Sequence, residues 1–181
     1  MIHDFNNSLK IEESNFSIQD AFYLKHFGHL PERVDFEKFP EIQKKDIDLY
    51  ITNKSGERKS VSEKFRPENH SDICFEIYSI YSTKVGWACE SEADLLCYFL
   101  PETAVVLQMD KIVEILKRNK ITKQIDDINE QLKYKDIWID GETYFVPVIK
   151  ALNKGYFSLS IAFNEKQLKR MGVRHRVFQL P

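Results

Sequence analysis

Cysteine is scarce in this chain: Cys74, Cys89 and Cys97 are the only three among 181 residues. Their number is odd and no two stand at CxxC spacing. That excludes a disulfide framework, argues against a structural zinc site and leads to the expectation of a reducing, cytoplasmic compartment. Glycine and proline number 6 each, too few for a collagen-like or low-complexity chain. Neither sign of charge dominates, since 26 basic against 28 acidic residues leave a formal charge of -2. A nucleic-acid function would therefore have to rest on local patches. No window approaches ~18 uninterrupted apolar residues, so no membrane span is expected. The first residues lack the basic-then-apolar order of a signal peptide. Motif signatures are missing as well: there is no P-loop, GxGxxG, GxSxG or HExxH. The histidines His3, His26, His29, His70 and His175 are too scattered to read as a metal-ligand set.

What is present is a large apolar and aromatic complement. Hydrophobic residues make up 43%, with 13 Phe and 8 Tyr, enough for one domain over 1–181 with a real core. Ser17 to Phe27 has the spacing of a helix, with Ser17 as N-cap and Gly28 as stop. Asp46 to Ile51 alternates polar and apolar and predicts a strand. Turn residues around Gly56 lead into a second alternating run, Arg58 to Phe65, so the two should form an antiparallel hairpin. Asp72 to Tyr81 predicts a third, central strand continuing the meander. Ser91 to Phe99 reads as a helix capped by Ser91, Ala104 to Met109 as a short buried strand, and Asp110 to Asn119 as another helix. Ile137 to Ile149 predicts a late hairpin in which Pro147 favours an edge, and Asn164 to Met171 a final helix. The sum is an α/β (α+β) fold: a mixed central sheet, an antiparallel meander at its start and helices on both faces.

Chemistry-bearing residues concentrate on the meander. Asp46 and Asp48 share a face of the first strand. Lys64 ends the second, beside Glu63. Glu76 stands in the apolar run Ile73 to Ile77, where a buried carboxylate is costly without a positive neighbour. Carboxylates converging on Mg²⁺, with a lysine to orient water or neutralise a phosphate, would suit metal-assisted phosphodiester cleavage. The plainer reading is a solvated strand face, and the parity of Glu76 with Asp72 and Cys74 allows an outer face there too.

The succession DIDLYIT, ERKSVSEKFR, DICFEIYSIY and GWACESEADLLCYF resembles the PD-(D/E)XK nuclease-like superfamily, and within it small phage- or prophage-encoded and bacterial members. The resemblance covers Lys45 to about Met109. It implies a restriction-endonuclease-like fold and an endonuclease hydrolysing DNA with Mg²⁺ or Mn²⁺. Asp48 then matches the metal-binding aspartate, with Asp46 as its alternate, and Lys64 matches the motif lysine. The second acid of the motif should stand two residues before that lysine, where this chain has Ser62. Glu63 or Glu76 would have to replace it. Glu63 has the opposite strand parity to Lys64, so only a bulge would bring both to one side, whereas Glu76 needs no such distortion. Asp20 on the first helix is a further candidate acid.

Two basic segments could meet DNA. Lys111, Lys117, Arg118, Lys120 and Lys123 lie on and after the helix from Asp110, opposed only by Glu114. Lys166, Lys169, Arg170, Arg174 and Arg176 make the C-terminal end basic. Trp87 and Trp138 suit a core better than base stacking. The alternative to an enzyme is a catalytically degenerate nuclease-like scaffold acting as a DNA- or protein-binding accessory, such as a phage counter-defence factor, and Ser62 favours it. A purely structural role, with the aromatics forming a homodimer interface, is also open.

Overall fold

Alternation of polar and apolar residues produces the expected hairpin. In the computed structural model, Leu49 and Ile51 are buried while Tyr50 and Thr52 are more exposed, Val61 is buried together with Ser60 and Ser62, and Leu49 pairs with Val61 and Thr52 with Arg58 in antiparallel register. The structure describes the backbone from Phe5 onward, apart from Lys54, Asn69, His70, Asp127, Asn129, Glu130 and Lys154, and side chains from Phe16. His3 and His70 lie outside the described residues.

The elements in chain order are α1 (Phe5–Phe27), β1 (Glu32–Arg33), α2 (Pro40–Gln43), β2 (Leu49–Thr52), β3 (Arg58–Phe65), β4 (Asp72–Ile80), β5 (Lys84–Val85) and α3 (Trp87–Glu90). They continue with β6 (Leu95–Phe99), β7 (Thr103–Gln108), α4 (Met109–Arg118), α5 (Ile121–Gln124), β8 (Tyr134–Ile139), β9 (Glu142–Leu152), β10 (Phe157–Asn164), α6 (Glu165–Arg170) and β11 (His175–Gln179). The fold is mixed α+β. Its strands form two sheets and the chain divides into two compact units.

The first unit holds the six-stranded sheet β1-β2-β3-β6-β7-β11. This sheet is mixed, because β3 and β6 run parallel while its other pairs are antiparallel. Its core gathers Phe22 and Tyr23 of α1 with Leu49, Ile51, Val61, Cys97, Phe99 and Ala104. Phe22 meets Phe99 and Phe178 edge-on, at 5.4 and 5.6 Å between centroids, a geometry aromatic quadrupoles favour.

Several expectations fail in this unit. Ser17 is not an N-cap, because α1 begins at Phe5 and Ser17 lies inside it. The segment from Ser91 to Phe99 is not a helix. Its polar head caps α3, with Ser91 in an extended conformation, and Leu95–Phe99 is β6. An unbroken apolar run suits a strand enclosed between two others, as β6 is between β3 and β7. The meander also stops at β3. Parallel neighbours need a long crossover, and the residues between β3 and β6, β4 among them, supply it.

The second unit holds the sheet β5-β4-β10-β9-β8. Strand β4 lies inside it, with Ile73, Phe75 and Ile77 buried, and Phe75 packs against Phe163 of β10. The late hairpin forms as expected, pairing Ile137 with Tyr144. Pro147, however, is on the interior strand β9. It is tolerated because pairing with β10 ends one residue earlier, at Val148 opposite Ile161. Helix α6 begins with a capping box between Asn164 and Gln167. Trp138, expected in a core, is 56% exposed.

Gly86 permits the turn from β5 into α3 to lie against β4. A Cβ there would stand 2.4 Å from the Glu76 carbonyl oxygen and 2.9 Å from its Cγ. The nearest obstacle is backbone and cannot swing away. Gly86→Ala should therefore destabilise the chain by about 2–3 kcal/mol in urea unfolding, an overpacking cost.

Candidate functional site

The first unit places a charged cluster where β2 ends before β3 does. Leu49, the first residue of β2, faces Val61, so Ser62 to Phe65 have no β2 residue beside them. The Asp48 carboxylate takes over part of that role. Its Oδ2 accepts the Glu63 N–H at 2.6 Å, while the Asp48 N–H donates to the Val61 carbonyl at 2.9 Å.

Asp46 precedes the strand rather than beginning it. It adopts a left-handed backbone (φ 57), a conformation aspartate tolerates better than most residues. Its carboxylate accepts hydrogen bonds from Ser62 Oγ and from Lys64 Nζ, both at 2.7 Å. Lys64 Nζ is also 3.6 Å from Asp48 Oδ2. One ammonium thus serves two carboxylates, and all three side chains are between 18% and 28% exposed. Burial pushes the Asp48 carboxyl above its ordinary value, Asp46 adds to the rise and Lys64 opposes it.

Glu63 turns to the other face, as strand parity requires. Its Oε2 accepts from Arg33 at 2.7 Å, and Arg33 also reaches Asp20 at 2.9 Å and Gln19 at 3.3 Å. Asp20 therefore contributes through an arginine that the sequence did not single out. Burial raises the Glu63 carboxyl despite Arg33, and raises the Tyr23 phenol well above its usual range. Glu63 Oε1 and the Tyr23 hydroxyl are buried and near enough to act on each other, though without the geometry of a hydrogen bond. Asp48, Glu63, Lys64 and Arg33 line one pocket of about 190 Å³, with Phe16 and Phe65 among its apolar walls. It opens where β3 has lost its neighbour, so residues from both faces of the strand border it.

Glu76 belongs to neither this cluster nor this unit. It lies on β4, opposite Ser160, on the half-buried face it shares with Asp72 and Cys74, and its Oε1 accepts from Ser79 Oγ at 2.6 Å. Ser62, where the resemblance leads one to expect an acid, directs its hydroxyl to Asp46. Asp94, expected in the first turn of a helix, instead accepts from the Ser60 N–H and hydroxyl at 2.8 and 2.9 Å. Among the described residues, no three of His, Cys, Asp and Glu are grouped so as to hold a metal ion.

The basic residues are dispersed and partly engaged. Arg118 pairs with Glu114 and, at 2.5 Å, with Asp140, an acid the sequence reading had not set against it. Arg170 pairs with Glu142 at 2.6 Å and lies over the Tyr144 ring. Lys166, Lys169, Arg170 and Arg174 belong to the second unit, whereas Arg176 is an exposed residue of β11 in the first. No described helix is long and apolar enough to cross a membrane. No family model, no curated protein and no solved structure matches this chain.

Proposed function

We propose that the Asp46–Asp48–Lys64 cluster is the reaction centre of a Mg²⁺- or Mn²⁺-dependent endonuclease hydrolysing DNA, built on a restriction-endonuclease-like core. The observation that carries this reading is the single lysine at 2.7 and 3.6 Å from two carboxylates, bordering a pocket that Arg33 also lines. Mg²⁺ keeps several waters and is commonly bound by one or two carboxylates plus substrate phosphate oxygens. Asp46 and Asp48 supply such a pair, and the ion would supply charge for an attacking water and a phosphoryl oxygen. Lys64 holds the two carboxylates in place and can place a positive charge on the phosphate. Arg33 offers a second donor fork to a phosphate.

The test is cleavage of single- and double-stranded DNA with and without Mg²⁺ or Mn²⁺, on the parent and on Lys64→Ala. The parent should cut only with the ion, and Lys64→Ala should lose about 10²–10⁴ in rate, the span of a missing acid–base or charge-stabilising group.

A second reading is favoured by Ser62, whose hydroxyl occupies Asp46 where an acid would add a ligand. Under it the chain is a degenerate scaffold that binds DNA or protein without cutting. Stoichiometric DNA binding with no cleavage under any divalent ion would select it.

A further inference from the structure

The second unit carries a pocket that the cluster above does not use. It has a volume of about 270 Å³ and is lined by Lys117, Lys120 and Lys123, together with Thr122, Glu90 and Cys89. Other cations of this helical segment are neutralised: Lys111 pairs with Glu114, and Arg118 with Glu114 and Asp140. Among the described residues, Lys117, Lys120 and Lys123 form no ion pair. Three lysines and a single acidic residue, Glu90, line the pocket, so its lining residues carry two positive charges in excess.

Backbone geometry creates this arrangement. Lys120 follows α4 in a left-handed conformation (φ 51), where helix ends favour glycine. Its N–H donates to the Lys117 carbonyl at 3.0 Å, and the Lys123 N–H donates to the Lys120 carbonyl at 2.9 Å. The reversal brings lysines from two short helices to the same rim. Lys120 thus combines a left-handed backbone, which disfavours any side chain, with a place beside two other lysines at one pocket, and local backbone strain of this kind clusters at ligand sites. Burial pushes the Cys89 thiol up to about 11, so it lines the pocket as a neutral group.

We propose that this pocket binds a phosphate group, with Lys117, Lys120 and Lys123 as its ligands and the charge excess matching a phosphate dianion. The proposal is independent of any hydrolysis at Asp48 and Lys64. The phosphate can belong to a small phosphorylated molecule or to a nucleic-acid backbone, and the two sources separate in competition.

The full chain would be titrated at low salt with inorganic phosphate and pyrophosphate by calorimetry, with a melting curve for each variant. Saturable binding at one site is expected. Lys120→Gly should weaken it about tenfold, as loss of one charged hydrogen bond does, with an unchanged or higher melting temperature because glycine relieves the left-handed strain. Lys123→Gln should weaken binding similarly. Displacement of pyrophosphate by a DNA duplex would assign the phosphate to a nucleic acid, and failure to displace it would assign a small molecule. The proposal is overturned if neither anion saturates, if Lys120→Gly binds as the parent does, or if affinity is lost in Lys64→Ala instead.

Discussion

Arg33→Met should lower stability by about 3 kcal/mol near pH 8, the low end for breaking a buried ion pair from one side. Glu63 would be left behind, with 10% of its side chain exposed and one carboxylate oxygen already lacking a hydrogen bond. Asp20, the other acid on Arg33, is 39% exposed and can turn to water. The loss should depend on pH. Burial raises the Glu63 carboxyl even with Arg33 present, and removing Arg33 raises it further. A carboxyl whose folded pKa lies above its unfolded value contributes most below the unfolded value, and that contribution is lost as pH rises through the folded one. The deficit of the variant should therefore be small near pH 4–5 and grow toward pH 8. Urea unfolding at the two extremes measures it. Adding Glu63→Gln should restore most of the stability, because the stranded charge is gone. Equal losses at both pH values would mean that Arg33 acts through packing against Phe16, over whose ring it lies at 4.2 Å.

On the proposed nuclease reading, Asp48→Asn should abolish Mg²⁺-dependent cleavage, by roughly a thousandfold or more, while leaving the protein as stable or more stable at neutral pH. Loss of a metal ligand removes several kcal/mol of transition-state stabilisation, and each ~1.4 kcal/mol is tenfold in rate. The stability argument has the opposite sign. Asparagine keeps an oxygen to accept the Glu63 N–H, and Lys64 keeps its closer partner, Asp46. What disappears is a charge whose folded pKa is raised by burial. Ionised Asp48 thus opposes folding as pH rises through that value, so the gain should be largest near pH 8 and fade toward pH 4. A gain of about 1 kcal/mol would raise the melting temperature by about 2–4 °C in a chain of this size. A variant that melts well below the parent, from a parent that cuts no DNA, would make the carboxylate structural and select the non-cutting scaffold.

Local patterning accounts for much of what was legible. The hairpin of β2 and β3 follows from alternation and a short turn, and a one-residue slip of its register would turn Leu49 and Val61 outward. The final helix was legible in the run from Asn164 to Met171, and the structure adds the cap at Asn164. The strand parity that separates Glu63 from Lys64 held as well, and needs no bulge. The errors came where local signals compete. Ser91 and the acids after it look like a helix start, but the apolar block Leu95–Phe99 is enclosed by β3 and β7, and pairing on both sides outweighs a weak cap. Trp138 lies on the exposed side of β8 although its composition favours a core.

For the candidate site, residue types and spacing already determined that Asp46, Asp48 and Lys64 could meet, because a tight hairpin fixes which strands face each other. The departure at Ser62 came only from the family resemblance, which implies an acid at that position. Only the tertiary structure decided the rest. It put Glu76 on a different sheet in a different unit, brought Arg33 to Glu63 across 30 positions of sequence and assigned the partners of Arg118 and Arg170. The physical reason is one of range. Backbone periodicity and turn chemistry act over a few residues and are written locally, whereas the choice of neighbour for a strand edge or a buried charge is made by whichever distant segment best satisfies it.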